Sequence, residues 1–212
     1  MAYEQSLLLD LEAPTTPGPL DGADQPRRSP LDDRSWIEVR RGWLDGADRL
    51  FDQLLHQPLW RAERRRMYDA VVEVPRLTGF LDADHAWPEP SLVRMRDALS
   101  AHYRDVLPTG FATVGLCLYR DGRDSVAWHG DTIGAGATRD TLVAIVSLGA
   151  PRVLALRPRD RRAGTPLRVT LGSGDLLVMG GACQRAWEHA VPKTARPVGP
   201  RISLQFREAG VR

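Results

Sequence analysis

The sequence predicts a mainly β protein with flanking helices, an α+β protein whose strands form a sandwich or jelly roll. Short runs rich in Val, Ile, Leu and aromatic residues follow one another from residue 111 onward. Turn residues separate these runs at intervals typical of antiparallel sheets, and apolar residues at helical spacing precede them. About eight strands in roughly 100 residues is the strand density of a sandwich or jelly roll.

The eight predicted strands are bounded by turn chemistry. Asp121-Gly122 and Gly172-Ser173-Gly174 supply two of the turns. In chain order the predicted strands are FATVGLCLYR, SVAWHGD, LVAIVSL, RVLALRP, LRVTL, DLLVMGG, AWEHAVP and RISLQFR.

Two helices are predicted before the strands. The first has its apolar residues between positions 47 and 55 and is stopped by Pro58; the second has them between positions 92 and 106 and is stopped by Pro108. We expect these helices to support one face of the sheet.

The chain is predicted to form one domain with an N-terminal arm. Residues 12–33 are rich in Pro, Gly and Asp and bury too little apolar surface to offset the entropy of ordering, so residues 1–33 are interpreted as a flexible arm. Residues 34–212 then form one domain, with helical support in residues 34–110 and the β core in residues 111–212. A length of 212 residues with 42% hydrophobic residues suits such a domain.

Charge and cysteine content narrow the class of protein. The net charge of +2 combines −5 in residues 1–33 with +7 in the rest, a balance that favours a polyanionic partner but is also compatible with ordinary solubility. No apolar stretch approaches the roughly 20 residues of a membrane span, and the first residues lack the basic start and cleavage site of a secretion signal. We therefore expect a cytoplasmic protein, with Cys117 and Cys183 as reduced core thiols.

Two separated segments contain candidate metal ligands. His129 and Asp131 lie two apart on a predicted strand, so their side chains point to the same face. His189, on a late strand of the same sheet, supplies a third ligand, and two histidines with one carboxylate form the facial triad that suits non-haem Fe(II). Either segment alone is weak evidence for a metal site. The combination is strengthened because the remaining histidines lie in predicted helices or loops and form no alternative cluster: His56, His85 and His102.

The last predicted strand has one polar and one apolar face. Arg201, Ser203, Gln205 and Arg207 alternate with apolar residues and therefore share a face. Any half-exposed strand shows such alternation, but guanidinium groups bind carboxylates through two parallel hydrogen bonds. 2-Oxoglutarate has two carboxylates, so this face is a candidate surface for binding it.

Together these segments resemble the AlkB family. Its pattern is a strand ending in N-x-Y, then H-x-D, a distal His and a closing strand with two arginines. In this chain LYRDGRDS leads into WHGD, and GDLLVM leads to WEHAVPK, with shorter likenesses at RMY (residues 66–68) and PRL (residues 75–77). The resemblance covers residues 59–207.

The resemblance implies a fold, cofactors and site residues. The fold would be a double-stranded β-helix, a cupin-like jelly roll, with Fe(II) bound by His129, Asp131 and His189. Arg201, helped by Tyr119, would hold the distal carboxylate of 2-oxoglutarate, and Arg207 would lie near its keto-acid end. The predicted co-substrate residues are Tyr119, Arg201, Ser203 and Arg207.

The resemblance also implies an activity. It is the oxidative demethylation of N-alkylated bases such as 1-methyladenine or 3-methylcytosine in DNA or RNA. Fe(II), O2 and 2-oxoglutarate would be used, and succinate, CO2 and formaldehyde released. The expected partners are alkylated nucleic acid and O2, with no membrane, and we expect a monomer.

Nucleic-acid contacts are predicted before the catalytic sheet, where the family has its nucleotide-recognition lid. A damaged base must be extruded or presented in a single strand, which calls for cations and a stacking surface. The candidates are Arg64, Arg66, Tyr68 and Arg76, although a solvated helix end would have the same composition. Trp128 points away from His129 on the predicted strand and is interpreted as a core residue.

Two departures from the family pattern bear on function. Cys117 stands where the family usually has Asn beside the co-substrate, which removes an amide hydrogen bond. Thr132-Ile133 replaces the acidic continuation after the iron-binding Asp and leaves the preferred substrate open.

The alternative activity is a 2-oxoglutarate-dependent hydroxylase of a small molecule or a protein side chain, because the fold does not specify the substrate. A binding module with a vestigial pocket is disfavoured by the intact triad and arginines.

Overall fold

The computed structural model describes residues 14–20, 28–67, 70–132, 134–160, 162 and 164–211, and describes only the backbone of residues 64–67, 70–73 and 135. The helices in this part are α1 (Ala47–Leu55), α2 (Pro90–His102) and α3 (Cys183–Ala186), with a 3₁₀ turn at Ala135–Ala137. No helix in the described ranges is long and apolar enough to cross a membrane.

The strands of the described part account for most of the fold. They are β1 (Thr16–Pro17), β2 (Ser29–Pro30), β3 (Ser35–Arg40), β4 (Leu44–Asp45), β5 (Arg61–Met67), β6 (Ala70–Leu81), β7 (Thr113–Tyr119), β8 (Val126–His129), β9 (Val143–Gly149), β10 (Arg152–Pro158), β11 (Leu167–Leu171), β12 (Leu176–Gly181), β13 (Trp187–Val191) and β14 (Arg201–Arg207). All eight strands predicted after residue 111 are present, as β7 to β14.

Two antiparallel sheets build the jelly roll. The major sheet has the order β2-β3-β12-β9-β14-β7-β6-β5, and the minor sheet has the order β11-β10-β13-β8. A short ribbon pairs β1 with β4. Strands distant in sequence are neighbours in both sheets, as in a double-stranded β-helix, and the predicted fold class is confirmed.

Successive side chains of the central strands point alternately to the two faces of the major sheet, and each face packs against a different core. On β7 and β14, Leu116 and Leu204 are buried in a core that contains the apolar residues of α1 and α2. Their neighbours Cys117 and Tyr119 on β7 face a second core shared with the minor sheet. Paired residues of antiparallel strands point to the same side of a sheet. Arg201 and Arg207 of β14 pair with residues of β7 that face the minor sheet, so both arginines lie on the inner face between the two sheets.

The segment before residue 111 contains more β structure than predicted. β3 to β6 lie within residues 34–110 and all except β4 join the major sheet, so the β core is not confined to residues 111–212. The arginine-rich sequence of β5 shows no apolar alternation that could have revealed a strand. The second helix is also shorter than predicted: it ends at His102, and Tyr103 is its C-cap.

The described parts of the first 33 residues are attached to the domain, which differs from the prediction of a flexible arm. Leu20 is buried in the helix-side core, and the Trp43 indole N–H donates to the Gly18 carbonyl over 2.8 Å. These contacts supply the apolar burial that the composition of the segment does not suggest. Residues 1–13 and 21–27 lie outside the described residues.

The two cysteines differ in environment. Cys183 is buried at the start of α3, and burial raises the pKa of its thiol to about 12. Cys117 is half-buried on the inner face of β7. The prediction of a core thiol is confirmed for Cys183, whereas Cys117 lies on the face that carries the co-substrate candidates.

A buried hydrogen bond links the end of α2 to the major sheet. The Tyr103 hydroxyl donates to the Glu38 carboxylate, which also accepts from Arg28 Nε over 2.9 Å.

We expect Tyr103→Phe to lower the free energy of unfolding by about 1–3 kcal/mol, because it leaves a buried carboxylate oxygen without its donor. Urea unfolding followed by circular dichroism measures the change. Val106→Ala, at a position with 50% exposure, is the control and should change stability by less than about 0.5 kcal/mol; equal stability of both variants would contradict the assignment.

Candidate active site

Register between two strands of the minor sheet brings the distant histidines together. His129 ends β8 and is paired directly with His189 of β13, and the two rings lie 4.3 Å apart between centroids. Asp131 follows just after β8. Ligand atoms of His129, Asp131 and His189 all lie within 4.8 Å of one another, so the predicted triad forms one cluster.

The hydrogen bond of the His129 ring sets its tautomer. Nδ1 lies 2.8 Å from the Ala127 carbonyl oxygen, which can only accept, so Nδ1 carries the proton and donates it. The lone pair is then on Nε2, which lies 3.8 Å from Asp131 Oδ1. A metal-binding imidazole needs this arrangement, with one nitrogen protonated and fixed and the other free to coordinate.

Asp131 is held in one orientation from two sides. Arg207 binds Oδ2 through Nε at 2.8 Å and Nη2 at 2.7 Å. The backbone N–H of Asp131 donates to Oε1 of the buried Gln184 over 3.0 Å. These contacts leave Oδ1 directed towards the histidines.

The electrostatic environment gives Asp131 and His189 the protonation states that a metal site requires. Burial alone would raise the pKa of Asp131, but Arg207 and the two histidines outweigh it and lower the pKa to about 2. Burial, together with His129, lowers the pKa of His189 to about 3. An ionised carboxylate and a neutral imidazole are the metal-binding forms of these groups.

The donor set fits Fe(II). Two imidazole nitrogens and one carboxylate oxygen on one side of an ion match the facial triad of non-haem iron sites, in which the remaining positions stay open. A structural zinc site would instead close its coordination with a fourth side chain. The cluster found in the described part of the chain contains three ligand residues.

Arg201 lies on the inner face of β14 and is almost fully buried. Its Nε donates to the Ser147 hydroxyl over 2.9 Å, while Nη1 has no hydrogen-bond partner among the described residues. Burial lowers the pKa of its guanidinium. A buried cation with an unpaired N–H group is costly unless an anion joins it, so the surroundings of Arg201 fit a carboxylate of 2-oxoglutarate.

Tyr119 lies beside Arg201 on the inner face of the major sheet. Its ring centroid lies 5.4 Å from Cζ of Arg201 and 5.6 Å from Cζ of Arg152. Burial raises the pKa of its phenol, so the hydroxyl keeps its proton. A protonated hydroxyl can donate to the carboxylate that Arg201 attracts.

Arg152 is a buried residue of this region that the sequence analysis did not single out. Its guanidinium donates to the carbonyl oxygens of Asp121, Asp124 and Pro192, each over 2.9 Å. Arg152 therefore connects the turn after β7 with the end of β13 through hydrogen bonds, next to Tyr119. The signal available in the sequence was an arginine at the start of the apolar strand RVLALRP.

Ser203 and Cys117 share a polar contact with Gln205 on the inner face. The Gln205 amide donates to the Ser203 hydroxyl over 2.7 Å, and the Cys117 thiol donates to Gln205 Oε1 over 3.8 Å. Cys117 thus takes part in the polar face, but through a long sulfur hydrogen bond. The second departure from the family pattern is the Thr132-Ile133 pair after Asp131. The Thr132 hydroxyl donates to the Gly130 carbonyl over 3.4 Å, and Ile133 lies outside the described residues.

Arg64, Arg66 and Arg76 lie in the hairpin formed by β5 and β6. Arg64 and Arg66 belong to β5, where the structure gives the backbone only, and Tyr68 lies outside the described residues. The alternative of a solvated helix end is wrong, because β5 pairs with β6. Arg76 is half-buried on β6, with Nη1 3.5 Å from the Ser125 carbonyl oxygen.

Trp128 is not a core residue. Its surface is 38% exposed, and Cζ of Arg157 lies 4.2 Å from the ring centroid. β8 is an edge strand of the minor sheet. The face opposite His129 consequently points outward, which strand alternation alone does not reveal.

Comparison with known proteins identifies the family. Residues 81–207 match the model of the 2OG-Fe(II) oxygenase superfamily. The chain belongs to this superfamily. The family name states the two cofactors predicted from the sequence, Fe(II) and 2-oxoglutarate.

AlkB homologues are among the relatives of this 2OG-Fe(II) oxygenase, which confirms the resemblance. Alpha-ketoglutarate-dependent dioxygenase alkB homolog 3 of Bos taurus is 30% identical over 185 residues, covering 77% of this chain and 62% of that protein. DNA oxidative demethylase ALKBH2 of Arabidopsis thaliana is 32% identical over 197 residues, covering 81% and 60% respectively. The chain spans less than two thirds of each relative. The solved structure of OsALKBH1 covers 86% of this chain and all of its own, with a TM-score of 0.58 and 16% identity, and so shows the same fold.

The contact between Arg207 and Asp131 predicts an effect on metal binding. We expect Arg207→Gln to weaken Mn(II) binding, measured by titration calorimetry, by about 10–100-fold, because residues that orient metal ligands have effects of this size. Arg168→Gln, an exposed arginine of β11, is the matched control and should bind Mn(II) as the unchanged protein does. Unaltered affinity in Arg207→Gln would show that Asp131 holds its orientation without this arginine.

Proposed function

We propose that the chain is an Fe(II)- and 2-oxoglutarate-dependent dioxygenase that removes alkyl groups from N-alkylated bases of DNA or RNA. The observation that carries the proposal is the cluster of His129, Asp131 and His189, together with the buried Arg201 on the inner face of β14, whose Nη1 has no partner among the described residues. The substrate class is supported by the names of the relatives, one of which is a DNA oxidative demethylase.

The role of the metal ligands follows from their geometry. His129, Asp131 and His189 would hold Fe(II) from one side, which leaves the other side for co-substrate and O2. Iron with 2-oxoglutarate supplies the oxidising chemistry, in which O2 and the keto acid are converted to CO2, succinate and an oxidised substrate. Arg207 occupies Oδ2 of Asp131, so Oδ1 is the oxygen that this carboxylate would offer to the metal.

The pocket residues bind and orient the co-substrate. Arg201 and Tyr119 receive its distal carboxylate, and Ser147 fixes the guanidinium of Arg201 in place. Oxidation of an N-methyl group gives an N-hydroxymethyl group. Its N–C bond then breaks to release formaldehyde, the hydroxyl proton is lost, and the ring nitrogen of the original base is restored. The overall change consumes one O2 and one 2-oxoglutarate per methyl group and releases succinate, CO2 and formaldehyde.

Further parts of the proposal concern the setting of the reaction. We place it in the cytoplasm, in a monomer whose residues 34–212 form one domain. Arg64, Arg66, Tyr68 and Arg76 would contact the nucleic acid. The excess charge of +7 outside residues 1–33 supports a polyanionic substrate.

Demethylation of a defined oligonucleotide tests the proposal. Iron-loaded protein given 2-oxoglutarate, air and an oligonucleotide with 1-methyladenine or 3-methylcytosine should produce a strand lighter by one CH2 group in the mass spectrum. His129→Ala should abolish this product because it removes a metal ligand, whereas His85→Ala, at an exposed histidine bound to Asp82, should retain it. Succinate without methyl loss would transfer the activity to a small molecule or a protein side chain, and absence of both from folded, iron-loaded protein would refute the proposal.

Arg201 should determine the affinity for 2-oxoglutarate. We expect Arg201→Lys to raise the KM for 2-oxoglutarate about 10- to 100-fold, since it loses one or more hydrogen bonds between charged groups. Succinate formation at varied 2-oxoglutarate measures the change, with Arg168→Lys as the control. An unchanged KM in Arg201→Lys would place the distal carboxylate elsewhere.

A further inference from the structure

Cys117 places a thiol on the face of the protein that carries the co-substrate candidates. It lies on β7 two residues before Tyr119, so both side chains point to the inner face between the sheets. Cys183 is 2% exposed, whereas Cys117 is half-buried. A small solute that enters the space between the sheets can therefore reach the sulfur of Cys117, but not that of Cys183.

The neighbouring polar groups hold the Cys117 thiol only weakly. It donates to Gln205 Oε1 over 3.8 Å, a long contact for a sulfur donor that is weak in any case. The residues paired with Cys117 are Ser203 of β14 and Thr78 of β6. Both hydroxyls have other partners, because Ser203 Oγ accepts from the Gln205 amide and Thr78 Oγ1 donates to Glu63.

Two guanidinium groups interact with Cys117. Arg201 pairs with Tyr119 and is thus a diagonal neighbour of Cys117 on the same face, about 7 Å away at Cβ and within reach of a long side chain. Burial lowers the pKa of the Arg201 guanidinium, and Tyr119 and Cys117 oppose this shift. Burial also acts to lower the pKa of Arg76 on β6, but Cys117 and Tyr119 outweigh it and the pKa is raised.

Each of these guanidinium groups has a buried nitrogen without a partner among the described residues. They are Nη1 of Arg201, a residue that is 1% exposed, and Nε of Arg76. A buried donor without an acceptor is costly. An oxygen atom bound to the sulfur of Cys117 would offer these donors an acceptor and would bring a negative charge beside two cations. The surroundings of Cys117 therefore favour an oxidised sulfur that carries an oxygen.

We propose that Cys117 is a redox-sensitive modification site that controls the binding of 2-oxoglutarate, with hydrogen peroxide as the oxidant. The thiolate sulfur attacks one peroxide oxygen, an S–O bond forms, the O–O bond breaks, and hydroxide leaves. Sulfur is oxidised by two electrons to a sulfenic acid, whose proton passes to the hydroxide to give water and a sulfenate. A dithiol reverses the change, since it reduces the sulfenic acid to the thiol and is itself converted to a disulfide, with release of water.

The effect on co-substrate binding follows from Arg201. It rests on the proposed function, in which Arg201 receives the distal carboxylate of 2-oxoglutarate. A sulfenate oxygen on Cys117 competes for Nη1 and repels the incoming carboxylate. The oxidised protein should bind 2-oxoglutarate about 10- to 100-fold more weakly, the effect of losing one hydrogen bond between charged groups. Bound 2-oxoglutarate should in turn protect the sulfur from peroxide.

Trapping with dimedone, which reacts with sulfenic acids, tests the modification. The full-length, reduced, iron-free protein is treated with hydrogen peroxide and dimedone, and peptide mass spectrometry locates the label. Cys117 should be labelled, whereas Cys183, the matched buried thiol, should not. Prior addition of Mn(II) and of 2-oxoglutarate at about ten times its dissociation constant should slow the labelling of Cys117 about tenfold, because only the unliganded protein reacts.

Titration calorimetry of 2-oxoglutarate on the Mn(II)-loaded protein measures the consequence. Treatment with peroxide should weaken binding by about 10- to 100-fold, and dithiothreitol should restore it. Cys117→Ser has no sulfur to oxidise, so its affinity should not respond to peroxide, whereas Cys183→Ser should respond as the unchanged protein does. Circular dichroism establishes that each variant is folded before and after treatment.

The outcomes separate redox control from the proposed function. If Cys117 carries no label, or carries it while the affinity for 2-oxoglutarate stays the same, redox control through Cys117 is refuted and the demethylase stands. A loss of affinity that Cys117→Ser shares would place the oxidised group elsewhere and would also refute it. Failure of the reduced protein to bind 2-oxoglutarate refutes the proposed co-substrate site itself and, with it, any control through that site.

Discussion

The contact between Arg207 and Asp131 is the interaction on which the rest of the site depends. It joins β14 of the major sheet to the loop after β8 of the minor sheet, so the two layers of the jelly roll meet at a buried ion pair. A carboxylate in this position without its arginine would be a buried, unpaired charge, which proteins rarely tolerate. The pair therefore fixes the spacing of the sheets at the point where the metal ligands converge, and Gly115 is required because a larger residue would block the arginine.

The β core and the triad could be predicted from the sequence for physical reasons. Strands from residue 111 onward carry apolar residues because one or both faces are buried, and this burial leaves a regular pattern. The triad was predictable because His129 and Asp131 are close in sequence and because a strand fixes the direction of alternate side chains. The direct antiparallel pairing of His129 with His189 was not predicted, since the register of distant strands leaves no local signal.

What the sequence did not reveal depends on tertiary contacts. The β5–β6 hairpin has arginines where a buried strand would have apolar residues, and its pairing with β7 is a long-range contact. Gln184 and Arg152 act through backbone groups of other segments, so no pattern of neighbouring residues marks them. Trp128 was misassigned because alternation gives the side of a strand but not whether another layer covers that side.

Nη1 of Arg201, which has no partner among the described residues, bears on the stability of the whole protein. A ligand that binds the native state and not the unfolded chain stabilises folding in proportion to the logarithm of its concentration relative to its dissociation constant. A dicarboxylate bound at Arg201 also relieves the cost of the unsatisfied buried N–H group. The stability of the native state thus rises with the concentration of the dicarboxylate, so the same arginine links the supply of the co-substrate to the folding equilibrium.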